Sequence, residues 1–240
     1  MRIRRVVTTR EGGASEPPYA SFNLGDHVGD APAAVAANRT RLAGELGLPA
    51  DRLVWMEQVH GRTVGVVDGP VAGPVEATDA LVTAEPGLAL VVLVADCVPV
   101  LLADPEAGVV GAVHAGRVGA RVGVVPAALA AMVEAGADVR RVEVLLGPSV
   151  CGDCYEVPQD MQTDVERHLP GSACRTRKGT PGIDLRAGLW RQLADAGVAR
   201  IGLDPRCTNE EPTLFSHRRE GTTGRLAAVT WVEPERGPVS

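Results

Sequence analysis

Aromatic residues are scarce, at 3% of 240 positions, although 45% of the chain is hydrophobic. Ala, Val, Gly and Leu must therefore fill the interior, which predicts small, closely packed layers. Long apolar runs are also missing. The longest, "LALVVLVA" at 88–95, falls far short of the ~20 residues that a bilayer-spanning helix needs. Basic residues are scattered, with no run of them, and the net charge is −6, which argues against a nucleic-acid surface. The start, "MRIRRVVTTREGG", has positive charge but no apolar segment behind it, so no secretory signal is read and the expected compartment is the cytoplasm. Five cysteines, an odd number at irregular spacing, do not read as a disulfide framework. No G-x-G-x-x-G opens a helix after a strand, and no P-loop occurs. Neither a repeat nor a low-complexity linker divides the chain, which is read as one domain over 1–240.

What is present alternates between strand and helix patterns. Strands are predicted at 53–56, 63–67 and 81–83, after a first one near the N-terminus. Two buried strands, 88–94 and 98–103, are predicted to meet near Asp96-Cys97. "GVVGAVHAG" supplies a strand ending at His114, and "VEVLLGP", "IGLDPRCTN" and "RLAAVTWVE" supply the later ones. Helices are predicted from Pro32 to Leu46 with Gly47 behind it, over 122–135 with Pro126 early, and in "VPQDMQTDVERHL" and "DLRAGLWRQLADAGV". The stretch "GGASEPPYASFNLGDHVGD" reads as a long loop. The fold class expected is α/β: a single layered domain with a mixed β-sheet and helices on its faces.

His60, Cys97 and His114 each stand where an apolar segment meets a loop of small residues. Such strand ends often carry functional groups on a rigid frame. A thiolate and two imidazoles make a three-ligand zinc site with an open fourth position, and zinc there brings water toward ionisation near neutral pH. The same residues also allow a cysteine nucleophile with a histidine base. Taken singly, each is more readily a structural residue, because cysteine is commonly a small buried hydrophobe. Asp96 adds weight, since a carboxylate between two apolar strands needs a partner or a task. Cys151 and Cys154 form a lone C-x-x-C without the second pair of a zinc ribbon, and are read as a Gly-rich structural turn; Cys174 and Cys207 are read as core or loop thiols. "FSHRREGTTGR" (215–225) is either an arginine-bearing anion site or a solvated hairpin. Asn38-Arg39 is open in the same way.

The stretches "SFNLGDHVGD", "NRTRL", "EQVHG", "TDALVT", "ADCVPVLLAD", "AVHAG", "CYEV" and "FSHRREGTTGR" together resemble the multicopper polyphenol oxidase or laccase-domain family, whose members are described as zinc-dependent purine nucleoside phosphorylases with adenosine deaminase activity. The resemblance implies one zinc ion on His60, Cys97 and His114. It implies substrate or phosphate contacts from Asn23 and Arg39, and substrates that are purine nucleosides, methylthioadenosine among them, with phosphate. Asp96 is the candidate proton carrier, with Cys97 beside it as a catalytic group. Copper is disfavoured, since laccase-type chemistry needs more histidines than the five present. Two alternatives remain at this point: a hydrolase that edits mis-built UDP-muramyl-amino-acid precursors, and a catalytically weakened homologue. The second is motivated by a departure. The family pattern "HAGWRG" is here His114-Ala115-Gly116-Arg117-Val118-Gly119. In a strand-like register the shifted arginine would face the opposite way.

Overall fold

The nearly continuous apolar run between residues 88 and 103 folds as two strands that belong to different sheets. The computed structural model describes residues 1–234. In chain order the elements are β1 (Ile3–Val7), α1 (Pro32–Leu46), β2 (Leu53–Val54), β3 (Val64–Val66), β4 (Ala80–Thr83), β5 (Ala89–Val94), β6 (Val98–Asp104), β7 (Val109–Ala115), α2 (Arg117–Val122), α3 (Val124–Glu134), β8 (Glu143–Leu146), α4 (Gln159–His168), β9 (Ala173–Arg175), β10 (Pro181–Ile183), α5 (Leu185–Asp195), β11 (Arg200–Leu203), α6 (His217–Glu220) and β12 (Leu226–Val232). A four-stranded sheet has the order β1-β12-β5-β2 and a six-stranded sheet β11-β8-β6-β7-β4-β3. Both mix parallel and antiparallel pairs. The hairpin β9–β10 stands apart.

Period-two alternation explains the layering. Leu90, Val92 and Val94 of β5 pack between the sheets with Leu101, Ala103, Val110 and Ala112. The alternate residues Ala89, Val91 and Leu93 face the other way, toward Leu42 and Ala43 of α1. Val98, Val100 and Leu102 of β6 pack outward onto Val125, Leu129 and Met132 of α3 and Leu189 and Leu193 of α5. The result is α/β, as expected, with helices on both outer faces; the strands form two facing sheets where one mixed sheet was pictured. Strands buried on both faces need no polar alternation, so the run is apolar throughout. With few aromatics, the core clusters consist mainly of Val, Leu and Ala.

Most predicted elements occur, with shorter ends. The helix α1 has the expected bounds, with Gly47 at φ 68° closing it. The helix predicted over 122–135 is α3, two residues shorter at its start; the short helix α2 before it was not foreseen, and Gly123 at φ 85° separates the two. Pro126 lies in the first turn of α3, where its missing N–H costs no helical bond. The hairpin reading of 215–225 is replaced by the single-turn helix α6, whose N-cap Ser216 accepts a hydrogen bond from the Arg219 N–H. The β9–β10 hairpin was not foreseen, since "ACR" and "PGI" lack a strand's apolar signature.

Leu90 has no solvent exposure between the sheets, whereas Val66 on the edge strand β3 is 64% exposed. Leu90→Ala is expected to lower unfolding free energy by about 2–5 kcal/mol. Val66→Thr should change it by less than ~0.5 kcal/mol. Urea denaturation of the two variants checks the contrast, and equal midpoints would contradict this layering.

Candidate metal centre and adjoining cavity

The site forms where the chain crosses from one sheet to the other. The segment after β2 carries His60 toward β3, and the link between β5 and β6 carries Asp96 and Cys97. His114 sits near the end of β7, opposite Pro99 of β6. Its backbone N–H donates to the Asp79 carbonyl at 2.8 Å, which locks β7 to the start of β4. One ligand atom each from His60, Cys97 and His114 lie within 4.8 Å of one another. The Cys97 Sγ is 3.9 Å from His60 Nε2, and the two imidazoles meet edge to face with centroids 4.6 Å apart. Gly116 permits this approach: a Cβ there would lie 2.7 Å from His60 Cδ2 and 3.0 Å from Cys97 Sγ.

Asp79 arranges the histidines. Its carboxylate is fully buried and accepts from His114 Nδ1 (2.8 Å) and from the N–H groups of Val59 (3.2 Å), His60 (2.9 Å) and Gly61 (2.6 Å). Those three N–H bonds hold the turn in which His60 adopts φ 59°, a region that costs a non-glycine residue ~1 kcal/mol or more. With Nδ1 bonded to Asp79, His114 presents Nε2 to Cys97. This is the carboxylate–histidine arrangement that fixes the tautomer of a metal ligand. Burial pushes the Asp79 carboxyl up, but His114 and the loop N–H groups outweigh it and hold the group below the usual carboxylate range.

Burial likewise pushes the Cys97 thiol up, while the charge and hydrogen bonds of His114 and His60 bring it down to about 6. For His114, burial works downward, but the Cys97 charge and the Asp79 hydrogen bond raise it to about 9. At neutral pH the metal-free site is thus a thiolate beside an imidazolium. The donor set of one thiolate and two imidazoles fits zinc and leaves a fourth position open.

The cavity over the triad, about 750 Å³ counted out to its mouth, is lined by His27, Gln58, Leu93, His217 and Arg225 among others. A second cavity of about 490 Å³ shares Ala95, Cys97 and His217 with it and adds Arg117, Val150, Tyr155, Leu185 and Arg218. Both lie within the size range of small-molecule sites. Gln58 copies a strand: its side chain donates to the Leu93 carbonyl and accepts from the Leu93 N–H, both at 2.8 Å. Arg117 lines the cavity from the first position of α2. The strand-like register considered for it does not apply, because a helix begins there.

Asp96 borders the second cavity at φ 92°, and its carboxylate is engaged three times. Oδ1 accepts from Thr208 Oγ1 (2.6 Å) and Ser216 Oγ (2.7 Å), and Oδ2 accepts from the Arg218 N–H (2.6 Å). Asn23 and Arg39 do not line either cavity. The fully buried Asn23 amide spends its donors on Gly25 O and Asp30 Oδ2 and accepts from the N–H groups of Gly25 and Arg225. Arg39 donates to Leu24 O, pairs with Asp26 at 3.1 Å and lies 4.0 Å over the Trp55 ring. Each acts one step behind the cavity, through Arg225 and through Asp26 beside His27. Asn38 points inward but binds the 14–23 loop rather than an anion site. Asp79, Gln58, Tyr155 and Arg225 were not singled out from the sequence. Their signal lay only inside the quoted stretches "TDALVT", "EQVHG", "CYEV" and "FSHRREGTTGR".

The family described as multi-copper polyphenol oxidoreductase laccase matches residues 4–233. The chain belongs to that family. It is 60% identical to a purine nucleoside phosphorylase of Mycobacterium tuberculosis, over 97% of this chain and 93% of that one. A purine nucleoside phosphorylase of Corynebacterium glutamicum is also 60% identical, over 97% and 96%. Among solved structures, YlmD from Geobacillus stearothermophilus superposes with a TM-score of 0.91 at 35% identity, covering 97% of this chain and 92% of that one. The Bacillus licheniformis protein YfiH gives 0.90 at 30% identity, covering 96% and 93%. Family membership and fold are thus as the resemblance implied.

Two outcomes follow for this laccase-family centre. Asp79→Asn should weaken metal affinity by about 10–100-fold, read by competition with a chelator, because the tautomer and the His60 turn lose their anchor. Metal binding needs a neutral His114 and an ionised Cys97. Below about 9 His114 carries a proton that the metal must displace, and Cys97 is already ionised above about 6. Binding between those limits should release about one proton, so affinity rises about tenfold per pH unit and flattens above the upper limit. Calorimetry in buffers of different ionisation enthalpy measures the release; a flat profile would contradict it.

Proposed function

We propose that this protein is a zinc-dependent purine nucleoside phosphorylase whose centre also deaminates adenosine and accepts methylthioadenosine. The observation that carries the reading is the joining of a His–Cys–His triad to a cationic cavity in an acidic chain. Arg117, Arg218 and Arg225 line the paired cavities with His27 and His217, and among the described residues Asp96 is the one acidic side chain lining them. Its charge is already spent on three donors. Such a cavity suits phosphate, whose oxygens match arginine forks. Full-length relatives named purine nucleoside phosphorylase support the same substrate class. The five free thiols suit the reducing cytoplasm, and no helix among the described residues is long and apolar enough to cross a membrane.

In phosphorolysis a phosphate oxygen forms a bond to the anomeric carbon, and the carbon–nitrogen bond breaks with its electron pair going to the purine. Bound zinc supplies Lewis acidity at its open position. Arg225 and Arg218 hold the phosphate, and Arg117 adds charge at the Tyr155 side. Tyr155, Val150 and Leu185 cover the apolar part of the substrate. His217 borders both cavities and is placed to give the departing base its proton. Cys97 acts as the thiolate ligand. Asp96 serves by position: to carry a proton its carboxylate would have to release Thr208, Ser216 or Arg218, so it more simply fixes α6 and its arginine at the cavity.

Zinc-loaded protein with inosine and phosphate should yield hypoxanthine and ribose 1-phosphate, read by chromatography. Cys97→Ala should reduce turnover by about 100-fold. Arg225→Ala should raise KM for phosphate by about tenfold, roughly 1.4 kcal/mol. Unchanged turnover in Cys97→Ala or His114→Ala would refute the reading.

A further inference from the structure

The cysteines outside the triad are not dispersed. Cys151 and Cys154 lie in a turn after β8, closed by the Cys154 N–H to the Cys151 carbonyl at 3.1 Å. Cys207 reaches them from the segment after β11. A parallel bridge joins it to Ser149, and the Thr208 N–H donates to the Ser149 carbonyl at 3.1 Å. The Cys151 N–H donates to the Cys207 sulfur at 3.3 Å. One ligand atom each from Cys151, Cys154, Cys207 and Glu210 lie within 4.8 Å of one another.

We propose that Cys151, Cys154, Cys207 and Glu210 form a second metal site, a three-thiolate, one-carboxylate set for a thiophilic divalent cation such as zinc, that braces the cavity floor. A tetrahedral ion with ~2.3 Å zinc–sulfur bonds sets its ligands about 3.8 Å apart, so the cluster needs only a small contraction. The C-x-x-C spacing supplies two ligands from one turn, and a distant strand end supplies the third. The set differs from the triad in kind: three sulfurs make a closed, structural site, whereas the triad leaves a position open. Cys207 is buried, Cys151 and Cys154 are partly buried and Glu210 is exposed, so an ion has a route in from the Glu210 side. Four anionic ligands exceed a divalent charge by two. Arg177, 2.6 Å from Glu210 Oε1, offsets part of that excess and leaves Oε2 for the ion.

The neighbours of these ligands give the site its consequence. Val150 and Tyr155, which line the cavity, flank Cys151 and Cys154 in the chain. Thr208, next to Cys207, donates to Asp96. An ion here ties the Tyr155 turn to the Thr208 segment, which nothing covalent joins. Beyond the Ser149 bridge, the thiols themselves add only weak hydrogen bonds between the two. The inference holds whatever substrate the triad serves.

Metal content by mass spectrometry, after loading with zinc under reductant and removing excess, tests it on the full chain. The wild type should hold two ions per chain, Cys97→Ala/His114→Ala one, and Cys154→Ser/Cys207→Ser one. In the Cys97→Ala/His114→Ala background, cobalt should give the strong thiolate charge-transfer absorption of several sulfur ligands. One ion in the wild type with none in Cys97→Ala/His114→Ala would overturn the proposal and leave the triad intact. Should the serine variants fail to fold, alkylation of the wild type decides. Zinc should protect Cys151, Cys154 and Cys207, and chelation should expose them. Equal labelling with and without zinc would overturn the proposal, as would a Cys151–Cys154 disulfide that chelation leaves unchanged.

Discussion

One buried carboxylate holds the centre together. Asp79 receives four hydrogen bonds, from one imidazole and three successive backbone N–H groups. An isolated carboxylate in that interior would cost several kcal/mol and would take up a proton instead. Hydrogen bonds to a charged group contribute about 1.5–3 kcal/mol each, so four of them outweigh the burial cost and the group stays ionised. Because it is ionised, it fixes the His114 tautomer and closes the His60 turn at once. The two histidines of the triad, 54 residues apart in the sequence, are thereby governed by a single side chain.

A second carboxylate performs the matching task across the cavity. Asp96 sits at a positive φ between β5 and β6, where the chain leaves one sheet for the other. Its partners Thr208, Ser216 and Arg218 come from late in the chain. The strain at Asp96 and the placement of α6 are therefore one balance: the hydrogen bonds that secure the arginines also hold the backbone turn beside Cys97. Asp79 orients the histidines from the start of β4, and Asp96 orients the cationic wall from the crossing between β5 and β6. A strand start and a sheet crossing both leave room for a side chain that a continuous strand would bury.

Much of this was legible in the sequence for a physical reason. Ends of apolar strands that meet small or polar residues announce themselves, so His60, Cys97 and His114 stood out by context, and the family resemblance joined them. Helix α1 announced itself through Pro32 and Gly47. What stayed hidden depended on partners far away in the chain. Asp79 sits between Thr78 and Ala80 with nothing local to mark it as buried. Asn23 and Arg39 carry side chains that could face a ligand, and only the loop they hold shows that they face Arg225 and Asp26. Cys207 lies 53 residues from Cys154, and no spacing rule joins them. Helix α2 stayed hidden because it is six residues long, too short to show an apolar period before Gly123 ends it at a positive φ.

The departure at Arg117 shows how register alters meaning. Read as strand, an arginine displaced by one residue turns to the opposite face. Read as the first residue of a helix, it stays at the cavity, beside Tyr155 and across from Arg218, whose guanidinium lies 5.0 Å over the Tyr155 ring. Burial pushes the Tyr155 hydroxyl up, and the charges of Arg117 and Arg218 work against that rise. The exchange thus replaces an aromatic surface with positive charge while keeping the wall in place. Val118, the other altered residue, is 40% exposed and lines neither cavity. The triad and its Asp79 anchor are untouched by either change. The substitution therefore changes the charge of the cavity wall, and gives no physical ground for a lost centre.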